Sequence, residues 1–234
     1  MLRRTARLAL ATAACAIAPV VSTVALTSAA DAQPAGYGPS DPFIEALLPS
    51  HGPVEPMKNQ SKIISTSNGY RLTSGQQHNH IKVTADDGRI RFRDTKTASW
   101  KSLPSTRSKI KVKRGIAASC KVPSGTGTNN PMLLEIHPRL GNDFVDGRTL
   151  SASFELAVLC DQGRDTVFGG RGDDFINAAQ DPDVVRGRAG NDWIRGGTGN
   201  DRLWGGRGND YMVGQDGSDR VTGGAGANRV YNKN

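Results

Sequence analysis

The chain has 234 residues, 36% hydrophobic and 6% aromatic, with 28 glycines, three cysteines and a formal charge of +8. So basic a chain raises nucleic acid as a partner, yet no segment resembles a nucleic-acid-binding module, and Trp100 is the one tryptophan near the basic residues. No G-x-S-x-G, no H-E-x-x-H and no Cys/His pairing suited to catalysis occurs, which removes the commonest hydrolase constellations.

Residues 1–32 read as a secretory signal peptide. Arg3, Arg4 and Arg7 form the basic start, an Ala-rich apolar run extends from Leu8 to Leu26, and Ala30-Asp31-Ala32 is an A-x-A cleavage pattern that puts the mature start at Gln33. Pro19, Ser22 and Thr23 interrupt the run, against a membrane anchor, so a secreted, extracellular chain without a transmembrane segment after cleavage is expected. Arg3-Arg4 leaves the general and the twin-arginine routes both open. Cleavage removes Cys15 and leaves Cys120 and Cys160, which in an oxidising compartment are expected to form a disulfide.

Residues 33–60 are a Pro-rich linker. Within it, Asp41-Pro42 can open a short helix whose apolar stripe is Phe43, Ile44, Leu47 and Leu48. Residues 61–132 form a basic β region. Ile81 and Val83, then Ile90 and Phe92, alternate with polar residues about Asp86-Asp87-Gly88, which predicts a hairpin; Ile110 and Val112 mark another strand. Residues 58–121 hold 15 Lys and Arg against Asp86, Asp87 and Asp94. Arg89, Arg91 and Arg93 alternate with apolar residues, as do Lys109, Lys111 and Lys113, so each trio would share one strand face. That face is either a solvated exterior or a surface for a cell-surface polyanion or polysaccharide.

The last segment, residues 133–234, carries a nine-residue period. From Cys160 the units are CDQGRDTVF, GGRGDDFIN, AAQDPDVVR, GRAGNDWIR, GGTGNDRLW, GGRGNDYMV, GQDGSDRVT and GGAGANRVY. Position 6 is Asp165, Asp174, Asp183, Asp192, Asp201, Asp210 and Asp219, then Asn228; position 8 is always Val, Ile, Leu or Met. Gly141-Asn142-Asp143-Phe144-Val145 copies positions 4 to 8, so the repeat is expected to begin irregularly near residue 133. Glycines at positions 1, 2 and 4 permit a tight turn over the first six residues, leaving a short strand with position 8 inward and positions 7 and 9 outward. Two units make an 18-residue coil, and coils stack about 4.8 Å apart. The predicted fold is all-β: a right-handed parallel β-roll (β-solenoid) preceded by an irregular β capping region. Stacking aligns Asp174, Asp192, Asp210 and Asn228 on one side and Asp165, Asp183, Asp201 and Asp219 on the other. Carboxylates so close repel, and a hard cation with many oxygen ligands, calcium (Ca2+) rather than magnesium, relieves the repulsion.

These units resemble the hemolysin-type, or RTX, calcium-binding nonapeptide family, with consensus GGxGxDxUx. The resemblance implies ligands from the position-6 carboxylates and from backbone carbonyls near positions 1 and 3: Gly187 and Ala189 with Asp192, Gly196 and Thr198 with Asp201, Gly205 and Arg207 with Asp210. Sound sites are expected around Asp174/Asp192 and Asp192/Asp210. A degraded one is expected around Asp183, where Ala178 and Ala179 replace glycines. Phe175, Trp193 and Tyr211 recur at position 7 every 18 residues, predicting an aromatic column on an outer face. Three functions remain: a secreted, non-enzymatic calcium-binding protein that folds or rigidifies on meeting calcium; a cell-envelope or polyanion adhesion module; and a hydrolase with an unrecognised site. His78-Asn79-His80 and Arg171-Gly172-Asp173 are set aside as a metal site and an adhesion motif.

Overall fold

The computed structural model describes residues 59–86, 88–105 and 107–232. The signal peptide, the cleavage site and the short helix expected in the linker lie outside the described residues.

The β region before the repeats contains β1 (Gln60–Ser65), β2 (Gly69–Thr73), β3 (His80–Asp86), β4 (Arg89–Asp94), β5 (Ser99–Ser102), β6 (Arg107–Ile110) and β7 (Ile116–Lys121). Then come β8 (Met132–Arg139), β9 (Phe144–Asp146), β10 (Phe154–Cys160) and β11 (Thr166–Phe168). The regular repeats supply β12 (Phe175–Gln180), β13 (Val184–Ala189), β14 (Trp193–Thr198), β15 (Arg202–Arg207), β16 (Tyr211–Asp216), β17 (Arg220–Ala225) and β18 (Arg229–Tyr231).

These strands make two nine-stranded sheets. One, sheet A, runs β18-β16-β14-β12-β10-β8-β2-β1-β5; the other, sheet B, runs β17-β15-β13-β11-β9-β3-β4-β7-β6. From β8 to β18 successive strands alternate between the sheets, as a β-roll requires. The 18-residue coil is read directly from the register. Ile176 pairs with Ile194 and Ile194 with Met212 in sheet A, while Val167 pairs with Val185 and Val185 with Leu203 in sheet B. All six point inward and are fully buried.

Two departures from the expected strand pattern have local causes. Most repeat strands span six residues instead of three, because positions 1 to 3 of the following unit also pair; pairing skips position 1, as between Arg195↔Val213 and Gly197↔Gln215. The turn is thereby confined to positions 4 to 6. The parallel stack also begins earlier than residue 133, since β2 pairs parallel with β8 and β3 with β9. Antiparallel β4, β6 and β7 complete one sheet, and antiparallel β1, with β5 beside it, completes the other; these added strands cover the solenoid end, which otherwise exposes unpaired backbone. The hairpin about Gly88 forms as expected, with Asp86 opposite Arg89.

The expected Cys120–Cys160 disulfide is not formed: both residues are buried free thiols. Topology explains the separation. Cys160 ends β10, in sheet A, whereas Cys120 lies in β7, three strands beyond β9 in sheet B. That is about 14 Å of stacking at 4.8 Å per strand, whereas a disulfide needs Cα atoms within about 7 Å. The Lys trio is corrected as well. β6 ends at Ile110, so Lys111 and Lys113 lie in the bend beyond it and share no strand face with Lys109.

Candidate metal centre

The position-6 carboxylates form two ladders. On one side, the backbone N–H of Asp165 donates to Asp183 Oδ1 at 2.7 Å, Asp183 to Asp201 at 2.9 Å and Asp201 to Asp219 at 2.9 Å. On the other, Asp174 donates to Asp192 at 2.9 Å, Asp192 to Asp210 at 3.0 Å and Asp210 to Asn228 at 2.8 Å. One oxygen of each carboxylate thus fixes the side chain to the preceding coil. Position 5 carries a counter-ladder, in which Asn209 N–H donates to Asn191 Oδ1 and Ala227 N–H to Asn209 Oδ1, each at 2.8 Å.

The second oxygens are the chemically informative atoms. Among the described residues, Oδ2 of Asp143, Asp165, Asp183, Asp192, Asp201, Asp210 and Asp219 is buried with no hydrogen-bond partner. A buried carboxylate oxygen without a partner costs roughly 1–3 kcal/mol or more, and a single such atom calls for an explanation. Seven, on a regular repeat, form a donor set for a cation.

Position-1 glycines show what lies beside those oxygens. A Cβ at Gly169 would meet Asp174 Oδ2 and the Gly187 carbonyl oxygen, each at 2.4 Å. At Gly196 it would meet Asp201 Oδ2 at 2.3 Å and the Gly214 carbonyl at 2.7 Å; at Gly205, Asp210 Oδ2 at 2.1 Å and the Gly223 carbonyl at 2.6 Å. In each case a carboxylate oxygen and a carbonyl oxygen from the next coil converge on one point, and glycine keeps that point open. At Gly187 the near atom is Asp192 Oδ2, at 2.1 Å. The unit of Asp183 has Ala178 at this position, so a methyl stands where the others have none.

Electrostatics agree with geometry. Burial, the largest cause throughout, lifts the carboxyl pKa of Asp143 and Asp174 to about 8, of Asp165 to about 7, of Asp183 to about 9 and of Asp201 and Asp210 to about 6. It holds Asp192 well above the usual carboxylate range, with the charges of Asp174 and Asp210 adding to it. Backbone hydrogen bonds oppose these shifts without cancelling them. A bare column therefore resists full ionisation at neutral pH, and a divalent ion beside it supplies the missing counter-charge. Flexible oxygen shells of this kind suit calcium, which takes six to eight oxygens, better than octahedral magnesium. Among the described residues no three His, Cys, Asp or Glu side chains converge as a cage, so backbone carbonyls are a necessary part of the donor set.

The other residues singled out from sequence fall as follows. Gly187 places its carbonyl in the Asp174 cradle, and the equivalent carbonyls of Gly214 and Gly223, not anticipated, fill the same role beside Asp201 and Asp210. Gly196 and Gly205 form the open floors of cradles. At position 3, Thr198 and Arg207 are exposed and Ala189 is half-buried; the Arg207 carbonyl accepts the Gly190 N–H at 3.0 Å. Asn79 and Asp143 extend one ladder beyond the regular repeats: Asn79 N–H donates to Asp143 Oδ1, and Asp143 N–H to Asp165 Oδ1 at 2.7 Å. The signal for Asp143 was its G-N-D-F-V context; Asn79 had none.

On sheet B, Arg89, Arg91 and Arg93 face outward, opposite the fully buried Ile90 and Phe92. Arg91 pairs with Asp86, Arg89 donates to the Ser119 carbonyl at 3.2 Å, and Arg93 is exposed beside Lys82. Neither histidine of the 78–80 segment lies in a metal cluster. His78 Nδ1 accepts the Asn142 N–H at 2.7 Å, and His80 packs edge-on against Phe144 at 4.6 Å.

A family model described as RTX calcium-binding nonapeptide repeat (4 copies) matches residues 161–185, 178–212 and 208–232. No curated protein and no solved structure matches the chain.

Proposed function

We propose that this chain, whose residues 161–232 are RTX calcium-binding nonapeptide repeats, is a secreted, non-enzymatic protein that completes its fold on meeting extracellular calcium. Repeats of this family bind calcium. The observation that carries the reading is the series of buried, partnerless Oδ2 atoms, several of which share a cradle with a carbonyl from the next coil. Each calcium would tie neighbouring coils together and neutralise carboxylates that otherwise resist burial. Asp174, Asp192 and Asp210 on one side, with Asp201 and Asp219 on the other, are the carboxylates best placed to do so. The reading of residues 1–32 as a cleaved signal supports export into a calcium-rich medium.

The test is circular dichroism and melting of the purified protein, first with chelator and then with millimolar calcium. Strand signal and melting temperature should rise together, with a midpoint at roughly 10⁻⁴–10⁻³ M calcium, the range of extracellular modules. An unchanged spectrum and melting temperature would refute the reading.

One observation favours adhesion to an anionic polymer as an added role. Arg186, Arg202 and Arg220 are exposed on the outside of sheet B, and Arg186 lies over both Phe168 and Trp204, at 5.5 and 4.8 Å from their centroids. With Arg93 and Lys82 they lay a basic track across that sheet. Binding to wall or polysaccharide fractions that weakens as salt is raised would support this role.

A further inference from the structure

The two outer faces of the solenoid use the same repeat positions and yet differ in kind. Outside sheet B, positions 7 and 9 present exposed arginines. Outside sheet A, the same positions hold Leu133, Ala157, Leu159, Phe175, Trp193, Tyr211 and Val213, an apolar cluster separate from the core and at most 8% exposed. The ring of Trp193 is 1% exposed. Stacking covers its two faces: Phe175 lies at 4.5 Å, 7° from parallel, and Tyr211 at 6.1 Å and 14°. It does not cover the outward edge. All 18 described strands belong to the two sheets, and none lies over this face. Trp193 Nε1 and Asn177 Oδ1, both on it, are buried and lack hydrogen-bond partners among the described residues. Such a face calls for a cover, and a cover that brings polar backbone with it.

We propose that residues 41–48 of the same chain are that cover, docking through Phe43, Ile44, Leu47 and Leu48 on the Phe175–Trp193–Tyr211 column. Three observations select this occupant. Its spacing, Asp-Pro-Phe-Ile-Glu-Ala-Leu-Leu, gathers four apolar side chains into one helical stripe and leaves Glu45 off it. The chain enters the fold at β1, in sheet A, the sheet that bears the apolar face. The reach suffices: β1 and β14 are five strand spacings apart, about 24 Å, and the 12 residues from Leu48 to Gln60 span up to about 40 Å. The segment before the solenoid thereby becomes a strap along its apolar side, while the basic side stays open.

The experiment reads Trp193 in the exported, calcium-loaded chain. Trp100→Phe with Trp204→Phe leaves Trp193 as the only tryptophan. Acrylamide should quench it weakly, and adding Phe43→Ser and Leu47→Ser should raise the quenching constant about threefold, with new binding of an apolar dye. Glu45→Gln should leave both unchanged. Circular dichroism confirms that the repeats remain folded in each variant. Hydrogen exchange on the unaltered chain gives an independent reading: amides of residues 43–48 should be protected. Quenching that ignores the Phe43 and Leu47 substitutions, or free-chain exchange at 43–48, overturns the proposal. So does shielding of Trp193 that disappears when a sedimenting dimer dissociates, which would make a second copy the cover.

Discussion

At the scale of single residues, the difference between a usable and a blocked cation cradle is one methyl group. Gly187 leaves open the point beside Asp192 Oδ2, while Ala178 fills the equivalent point beside Asp183. The unit of Asp183 also holds Ala179 and Asp181 at positive φ, 77° and 74°, where β-carbon sterics oppose other residues than glycine. Asp192→Ala and Asp210→Ala should therefore weaken calcium binding more than Asp183→Ala, as calorimetry can rank. Gly187→Ala should imitate the blocked unit, lowering affinity while keeping the Asp192 carboxylate. If Asp183→Ala proves the most damaging of the three, the methyl does not block its cradle and the choice of intact sites is wrong.

At the scale of the strand, the ladder outside sheet A has the stacking that an 18-residue recurrence at position 7 predicts. Rings at 4.5 and 6.1 Å leave no gap for a sugar between them. Trp193→Ala removes a fully buried ring, a loss of roughly 3 kcal/mol or more. It should lower the melting temperature of the calcium-loaded protein without abolishing calcium binding; a mutant that melts like the parent would show the column to be surface ornament. What sequence periodicity conveyed here was direction: Ile176, Val185, Ile194 and Leu203 point inward because position 8 has period nine and strands have period two. It conveyed nothing about what lies over an outward side chain, so the burial of Trp193 was not legible. Pairing across coils was equally hidden, since Asn79 and Asp143 are 64 residues apart and share a hydrogen bond only through topology. The cysteines make the same point. Export chemistry argued for a bridge, and strand order places the thiols in different sheets. Burial raises Cys120 to about 11 and Cys160 well above the usual thiol value, so both should resist thiol reagents in the native protein and both should react once it is denatured. Fewer than two thiols after denaturation without reductant would restore a disulfide.

At the scale of the whole molecule, the elongated stack offers each coil only its position-8 residue and its neighbours as core, so the charge state of the carboxylate columns weighs heavily on stability. Their folded pKa values, about 6 to 9 for Asp143, Asp165, Asp174, Asp183, Asp201 and Asp210, lie above the unfolded value of 3.8. Between those limits the metal-free fold holds protons that the unfolded chain has released. Stability without metal must then fall as pH rises from about 4 through the folded values, with the full penalty present above them. Calcium reverses the trend, because it binds the ionised carboxylates and competes with the same protons. The gap between melting temperatures with millimolar calcium and with chelator should therefore widen from pH 5 to pH 8. Its growth should come from both directions, a falling metal-free curve and a rising or level calcium-loaded one. Melting curves at pH 5, 6.5 and 8 under the two conditions measure it. A gap widest at pH 5 would mean that the columns ionise normally without metal, and that burial alone does not create the demand for a cation.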